Sequence, residues 1–173
     1  MWGVLLKIPD LVVSLDDIKP EGLELELDIA PAQLAALVTA EEGGAPDISS
    51  SLNGRLNIKR NGSRLLIKGG FQVKAMVGCD RCLADTEALV QAEVDEAVYL
   101  EGLPSGGDAE AAGDEGEALR VVDGRVDLSG LMAEFFWMAW PYHFVCRPEC
   151  AGLCPRCGAD LNEGSCSCEG TFH

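Results

Sequence analysis

The residues in this sequence whose type and spacing could do chemistry are its eight cysteines, six of which stand in the last 28 positions. Cys154-Pro155-Arg156-Cys157-Gly158 has the form of a zinc knuckle. Two thiolates three residues apart can turn toward one cation, and the glycine after the second lets the backbone reverse. After a gap of eight residues, Cys166 and Cys168 can complete a tetrahedral set of four sulfurs, with Asn162 and Gly164 suited to the return turn. Zinc is the favoured ligand, and disulfides, an iron–sulfur cluster or free thiols stay open as alternatives.

Cys79, Cys82, Cys146 and Cys150 remain. The first pair falls at an expected hairpin turn, and the second follows an expected helix. If hairpin and helix meet, these four form a second zinc site that ties the tail to the sheet. Otherwise they are redox-labile thiols, or the tail cysteines mix with them differently. No active site is read. Four thiolates around zinc leave no open position for water. Of the two histidines, His143 reads as packed or hydrogen-bonded, and His173 is the last residue. No glycine-rich phosphate loop is present, so no small-molecule substrate is expected.

The elements that must position these sulfurs are mostly strands. Val4 to Ile8 is a short apolar run, and Leu23, Leu25, Leu27 and Ile29 alternate with acids, the period-two pattern of a half-buried strand. Pro31 suits the first position of a helix that Gly43-Gly44 ends. Leu52, Leu56 and Ile58 alternate with polar residues up to Asn61-Gly62, a dipeptide that supplies positive φ at both centres of a tight turn. Leu65, Ile67, Phe71, Val73, Ala75 and Val77 continue on one face, and Gly69-Gly70 within that run points to a bulge or bend. Ala88, Val90, Ala92 and Val94 form the next strand. Asp127 is placed to cap a helix from about Leu128 to Trp140, stopped by Pro141 and apolar over most of its circumference.

These elements predict an α+β protein: an antiparallel meander with one or two packed helices and a C-terminal zinc-ribbon-like tail. The expected division is a core over 1–145 and a cysteine-rich, zinc-binding tail over 146–173. Residues 101–117 carry six acids, five glycines and no base, which predicts a flexible acidic loop. The tail has few large apolar residues, so a cation must stand in for a hydrophobic core there.

A net charge of −16 excludes a surface that grips nucleic acid all round. The charge is uneven, however. Seven basic residues lie between 55 and 81, against one acid, Asp80. Arg55, Lys59, Lys68 and Lys74 share the polar face expected from alternation. That face is either simply solvated or a contact for RNA phosphate or an acidic protein. No run reaches the length of a membrane span, and the start has no basic region of the secretory kind. The chain is expected to stay in the cytoplasm, with no membrane partner.

Cys79-Asp80-Arg81-Cys82-Leu83 after a β run, then a helix ending near Pro141, then CRPECAGLCPRCGADLNEGSCSC, resembles the YceD family of large ribosomal RNA subunit accumulation proteins. GLCPRCGADLN followed by CSC is the most specific part. The resemblance covers most of the chain and carries the cysteine motif onto all eight positions named above. It implies a cytoplasmic, non-enzymatic factor in ribosome biogenesis that supports accumulation of large-subunit ribosomal RNA. Its partner would be a ribosomal protein or an rRNA precursor of that subunit. Two rival readings are a redox sensor whose cysteines cycle between zinc-bound and disulfide forms, and a zinc-ribbon adaptor for protein interaction.

Overall fold

Alternation sets the architecture of the computed structural model, which describes residues 11–39, 46–102 and 118–168. The expected strand at 4–8 lies outside them, as does the acidic stretch beyond Gly102. Glu101, assigned to that loop, is instead the last residue of a strand. In chain order the elements are β1 (Val12–Ser14), a single 3-10 turn (Leu15–Asp17), β2 (Leu23–Ile29), α1 (Pro31–Leu37), β3 (Asp47–Ile48) and β4 (Leu52–Asn61). Then follow β5 (Arg64–Gly78), β6 (Asp85–Glu101), β7 (Ala118–Arg120), β8 (Arg125–Asp127) and α2 (Ser129–Ala139). β2, β4, β5 and β6 lie side by side, each antiparallel to the next. β3 pairs with β5 past the start of β4, and β7 joins the far end of β6 in parallel. β1 and β8 make a separate antiparallel pair. The protein is α+β, with a mostly antiparallel sheet, two helices among the described residues and a cysteine-rich C-terminal region.

One face of the sheet is apolar because every second residue is. Leu56 and Ile58 of β4, Ile67, Phe71 and Val73 of β5, and Val90 and Val94 of β6 are buried there. Leu34 and Leu37 of α1, with Leu131, Met132, Phe135 and Phe136 of α2, belong to the same core. Burying side chains of this size stabilises by roughly 1.5–3 kcal/mol each. α2 follows its expected bounds to within a residue at either end. The Asp127 carboxylate accepts a hydrogen bond from the Ser129 N–H at 3.0 Å, which satisfies one of the free donors of the first turn.

Two local expectations change. The hairpin loop between β4 and β5 is Gly62-Ser63, with Asn61 paired to Arg64, and only Gly62 has positive φ (61°). Glycine therefore leads the turn, the type II′ pattern, instead of following asparagine in a type I′ turn. Gly69-Gly70 makes no bulge, because β5 pairs with β4 and with β6 straight through both residues. The glycines are there because the strands come too close for side chains. A Cβ on Gly69, at φ +150°, would sit 2.0 Å from the Arg55 carbonyl oxygen, and one on Gly70 would sit 2.6 Å from that of Ala92. Gly69→Ala is therefore expected to destabilise the fold by more than about 3 kcal/mol, read as a lower urea midpoint with unchanged slope.

Candidate metal centres

The turn between β5 and β6 and the tail fold the same way. Cys79 donates its N–H to the Ala84 carbonyl at 2.9 Å and accepts from the Leu83 N–H at 2.8 Å. The six residues from Cys154 to Ala159 repeat this: the Cys154 N–H reaches the Ala159 carbonyl at 2.8 Å, and the Gly158 N–H reaches the Cys154 carbonyl at 2.9 Å. The residue after the second cysteine takes positive φ in both turns, 61° at Leu83 and 73° at Gly158. Each turn thus presents two sulfurs to one side. Leucine carries a steric cost in that conformation that glycine avoids.

The first turn is closed by chain that follows α2. A chain of ring contacts leads there from the core: Phe136 to Trp140, tilted, at 5.3 Å, then Trp140 to Phe144, edge-on, at 5.4 Å. Asp80 clamps Phe144 twice, donating its N–H to the Phe144 carbonyl at 2.8 Å and accepting the Phe144 N–H on its carboxylate at 2.8 Å. His143, strongly exposed, lies 3.4 Å from the same carboxylate. Further along, the Leu153 N–H donates to the Arg81 carbonyl at 2.8 Å, and the Arg81 guanidinium donates to the Cys150 carbonyl at 3.0 Å.

These contacts bring the sulfurs of Cys79, Cys82, Cys146 and Cys150 within 4.8 Å of one another, and those of Cys154, Cys157, Cys166 and Cys168 likewise. Hairpin and tail meet, and the eight cysteines sort into the two groups of four expected from spacing. In a tetrahedral site with zinc–sulfur bonds of about 2.3 Å, neighbouring sulfurs stand about 3.8 Å apart. Cys79 Sγ to Cys150 Sγ is 3.9 Å, and Cys82 Sγ to Cys146 Sγ is 3.7 Å. Disulfide sulfurs would stand about 2.0 Å apart, so these spacings are those of separate thiols. Cys79, Cys82 and Cys150 pack as a small buried cluster of their own with Leu153. The second group is more open, with Cys154 buried and Cys157 exposed.

The protonation chemistry of the donors fits a cation as well. The Cys146 N–H, 3.4 Å from Cys79 Sγ, is the main influence holding that thiol down to about 6. Burial and the neighbouring thiols push Cys146 up to about 12. In the second group the N–H groups of Arg156 and Cys157 hold Cys154 down to about 6, while contact with Cys157 and burial push Cys168 up to about 12. Each group thus holds thiols shifted toward ionisation beside thiols shifted away from it, and a divalent cation at the centre would favour the thiolate form of all four.

Asn162 joins the two groups, and spacing suggested for it only a part in the return turn. It lies in the loop between Cys157 and Cys166, yet its Nδ2 donates to Cys150 Sγ at 3.5 Å. Its Oδ1 accepts the Ala151 N–H at 2.8 Å, and Nδ2 also meets Asp160 Oδ1 at 2.6 Å.

The hairpin cations are placed differently from a free basic face. Arg55 bridges Glu24 at 2.8 Å and Glu26 at 3.0 Å, Lys68 meets Asp95 at 2.8 Å, and Lys74 meets Glu87 at 2.7 Å. Lys74 also holds the Glu87 carboxyl below the usual range. Lys59 is exposed on the same face. A basic stripe on β4 and β5 is thereby flanked by acidic stripes on β2 and β6.

An antiparallel sheet with two quartets of cysteines at one end, one of them closed across the β5–β6 turn, defines a small α+β protein with paired four-cysteine clusters of a kind that could hold metal ions. The family model described as large ribosomal RNA subunit accumulation protein YceD matches residues 67–172, and this chain belongs to that family. It is 29% identical over 133 residues to uncharacterized proteins of Mycobacterium tuberculosis and Mycobacterium bovis, covering 76% of this chain and 59% of each relative. It is 27% identical over 138 residues to the maize (Zea mays) large ribosomal RNA subunit accumulation protein YCED homolog 1, chloroplastic, covering 66% of this chain and 47% of that one. The chain thus spans about three fifths of the mycobacterial relatives' length. No solved structure matches it.

Two substitutions test this geometry. Asn162→Ala removes the donor to Cys150 and is expected to weaken metal binding at the Cys79 group about 10- to 100-fold, read by competition with a chromophoric chelator. Leu83→Gly relieves the left-handed leucine and is expected to raise stability by about 1 kcal/mol in urea unfolding.

Proposed function

We propose that this chain is a non-catalytic ribosome-biogenesis factor that supports accumulation of large-subunit ribosomal RNA, with two structural zinc ions holding its C-terminal segment. The observation that carries the reading is the family match over residues 67–172, a stretch that includes both cysteine groups. The name of the maize relative agrees with it. Zinc at Cys79, Cys82, Cys146 and Cys150 is supported by sulfur spacings near the edge of a zinc–thiolate tetrahedron, and zinc at Cys154, Cys157, Cys166 and Cys168 by four sulfurs within 4.8 Å of one another. Four protein ligands close each site, so zinc would act there as a cross-link.

On this reading residues 1–145 are the core and 146–173 the zinc-ordered tail, and the protein works in the reducing cytoplasm, where thiols stay available for metal. Its partner is a ribosomal protein or an rRNA precursor of the large subunit. A protein is the better fit, given −16 net charge and the ion pairs made by Arg55, Lys68 and Lys74. No helix among the described residues is long and apolar enough to cross a membrane.

Native mass spectrometry is expected to find two zinc ions per chain, both lost on acidification because the sulfurs must be deprotonated to bind. One ion would remove the Cys79 site, and none would remove both. In cells lacking the protein, the ratio of large- to small-subunit ribosomal RNA is expected to fall. The wild-type chain should restore it, and a chain with Cys154→Ser and Cys157→Ser should not. An unchanged ratio in the deletion strain counts against the assembly role.

A further inference from the structure

β6 is the longest strand among the described residues, and among them one of its edges is open. β5 pairs with it from Asp85 to Tyr99, whereas on the other side β7 pairs only with Tyr99, Leu100 and Glu101. Among the described residues no strand lies beside that outer edge before Tyr99. Which backbone groups face outward follows from the register. Cys79 bonds Ala84 and Leu100 bonds Ser63, both in the same register as the β5–β6 pairs. Hydrogen-bonded and non-bonded pairs alternate along an antiparallel ladder. Even-numbered residues of β6 therefore bond β5, and the N–H and C=O groups of Glu87, Leu89, Gln91, Glu93, Asp95 and Ala97 point outward.

An exposed edge of this length is a template for another strand, and proteins ordinarily blunt it with a bulge, a proline or a lysine. β6 has none of these: its pairing with β5 is unbroken, and residues 85–97 contain no proline and no base. They contain five acids, Asp85, Glu87, Glu93, Asp95 and Glu96. Lys74 and Lys68 pair with Glu87 and Asp95, which leaves Asp85, Glu93 and Glu96 without an ion pair among the described residues. Leu89, on the same outward-facing set, is 50% exposed.

We propose that the outer edge of β6, from Glu87 to Ala97, is a docking rail on which an extended, lysine- and arginine-rich protein segment adds to the sheet as a further strand. Backbone hydrogen bonds supply the attachment and the acids select the charge, as in strand addition generally. Another copy of this chain would bring the same acids against themselves, and RNA would be repelled. Basic arms are the parts of nucleic-acid-binding proteins that bind phosphate, so the rail would cover such an arm before it reaches RNA. The setting, ribosome assembly, rests on the function proposed above. The docking chemistry does not, and it is measured apart from metal content and rRNA levels.

The test uses the full, metal-loaded chain and a short fluorescent peptide alternating lysine with valine and threonine. Saturable binding is expected, weakened by salt, with slowed amide hydrogen exchange at Leu89, Gln91 and Glu93. Gln91→Pro removes an outward N–H without touching a backbone bond to β5, losing there only the exposed side-chain hydrogen bond from Gln91 to Gln72 at 3.3 Å, and edge strands tolerate proline in that setting. It is expected to keep the unfolding midpoint near that of the wild type and to weaken the peptide at least about tenfold. Glu93→Lys, which alters charge alone, should weaken it in low salt and serves if the proline variant does not fold. Undiminished binding to folded Gln91→Pro overturns the proposal, as does equal affinity for a peptide with glutamate in place of lysine. Protection of the same amides by an RNA oligonucleotide, or by self-association without peptide, overturns it in favour of those occupants.

Discussion

Everything at the C-terminal end depends on four sulfurs gathered from two distant parts of the chain. Cys79 and Cys82 sit on a turn whose backbone is fixed by the β5–β6 ladder, and Cys146 and Cys150 arrive 64 or more residues later. Three of the four are buried and Cys146 partly so, but the cluster is far too small to hold a segment by apolar burial alone. A central cation would make such a set of donors stable together by neutralising their charge. The second quartet is local, so it can order its own loop. It is joined to the first through Asn162, whose amide serves the loop it belongs to and a sulfur of the neighbouring centre at once.

The large elements of this architecture were legible because burial imposes a period. Strand alternation from Leu23 to Ile29, from Leu52 to Ile58 and from Leu65 to Ala75 identifies the faces that are buried, and the helix from Ser129 to Ala139 shows in its apolar run. The sorting of the cysteines followed from pair spacing together with one assumption, that the hairpin meets the chain after the helix. What alternation could not convey was backbone proximity. Gly69-Gly70 looks like an interruption in one dimension, and only the neighbouring carbonyls of Arg55 and Ala92 show why no side chain fits there. Nor could composition show that Arg55, Lys68 and Lys74 face acids on strands brought beside them by pairing. The Asn61-Gly62 dipeptide marked the hairpin but not which residue leads its turn.

Charge on the sheet is arranged by strand. Single exposed ion pairs contribute little, about 0–1 kcal/mol each, so the ladder of them does not hold the sheet together. Its effect is on what the surface attracts: a molecule approaching β4 and β5 meets a largely compensated field, while one approaching β6 from outside meets acids alone. Two edges of one sheet therefore differ in what they can recruit. The short β2 offers seven residues and the long β6 most of its length.

The parallel pairing of Tyr99–Glu101 with Ala118–Arg120 has a consequence for how relatives can vary. Strands running the same way cannot be joined by a tight reversal, and a crossover takes about a dozen residues or more. The segment between them thus has a floor on its size and hardly any ceiling, since each doubling of a closed loop costs only about 0.6 kcal/mol. Insertions at this junction would therefore cost little, whereas deletions that take the connection below that floor would detach β7 from the edge of β6.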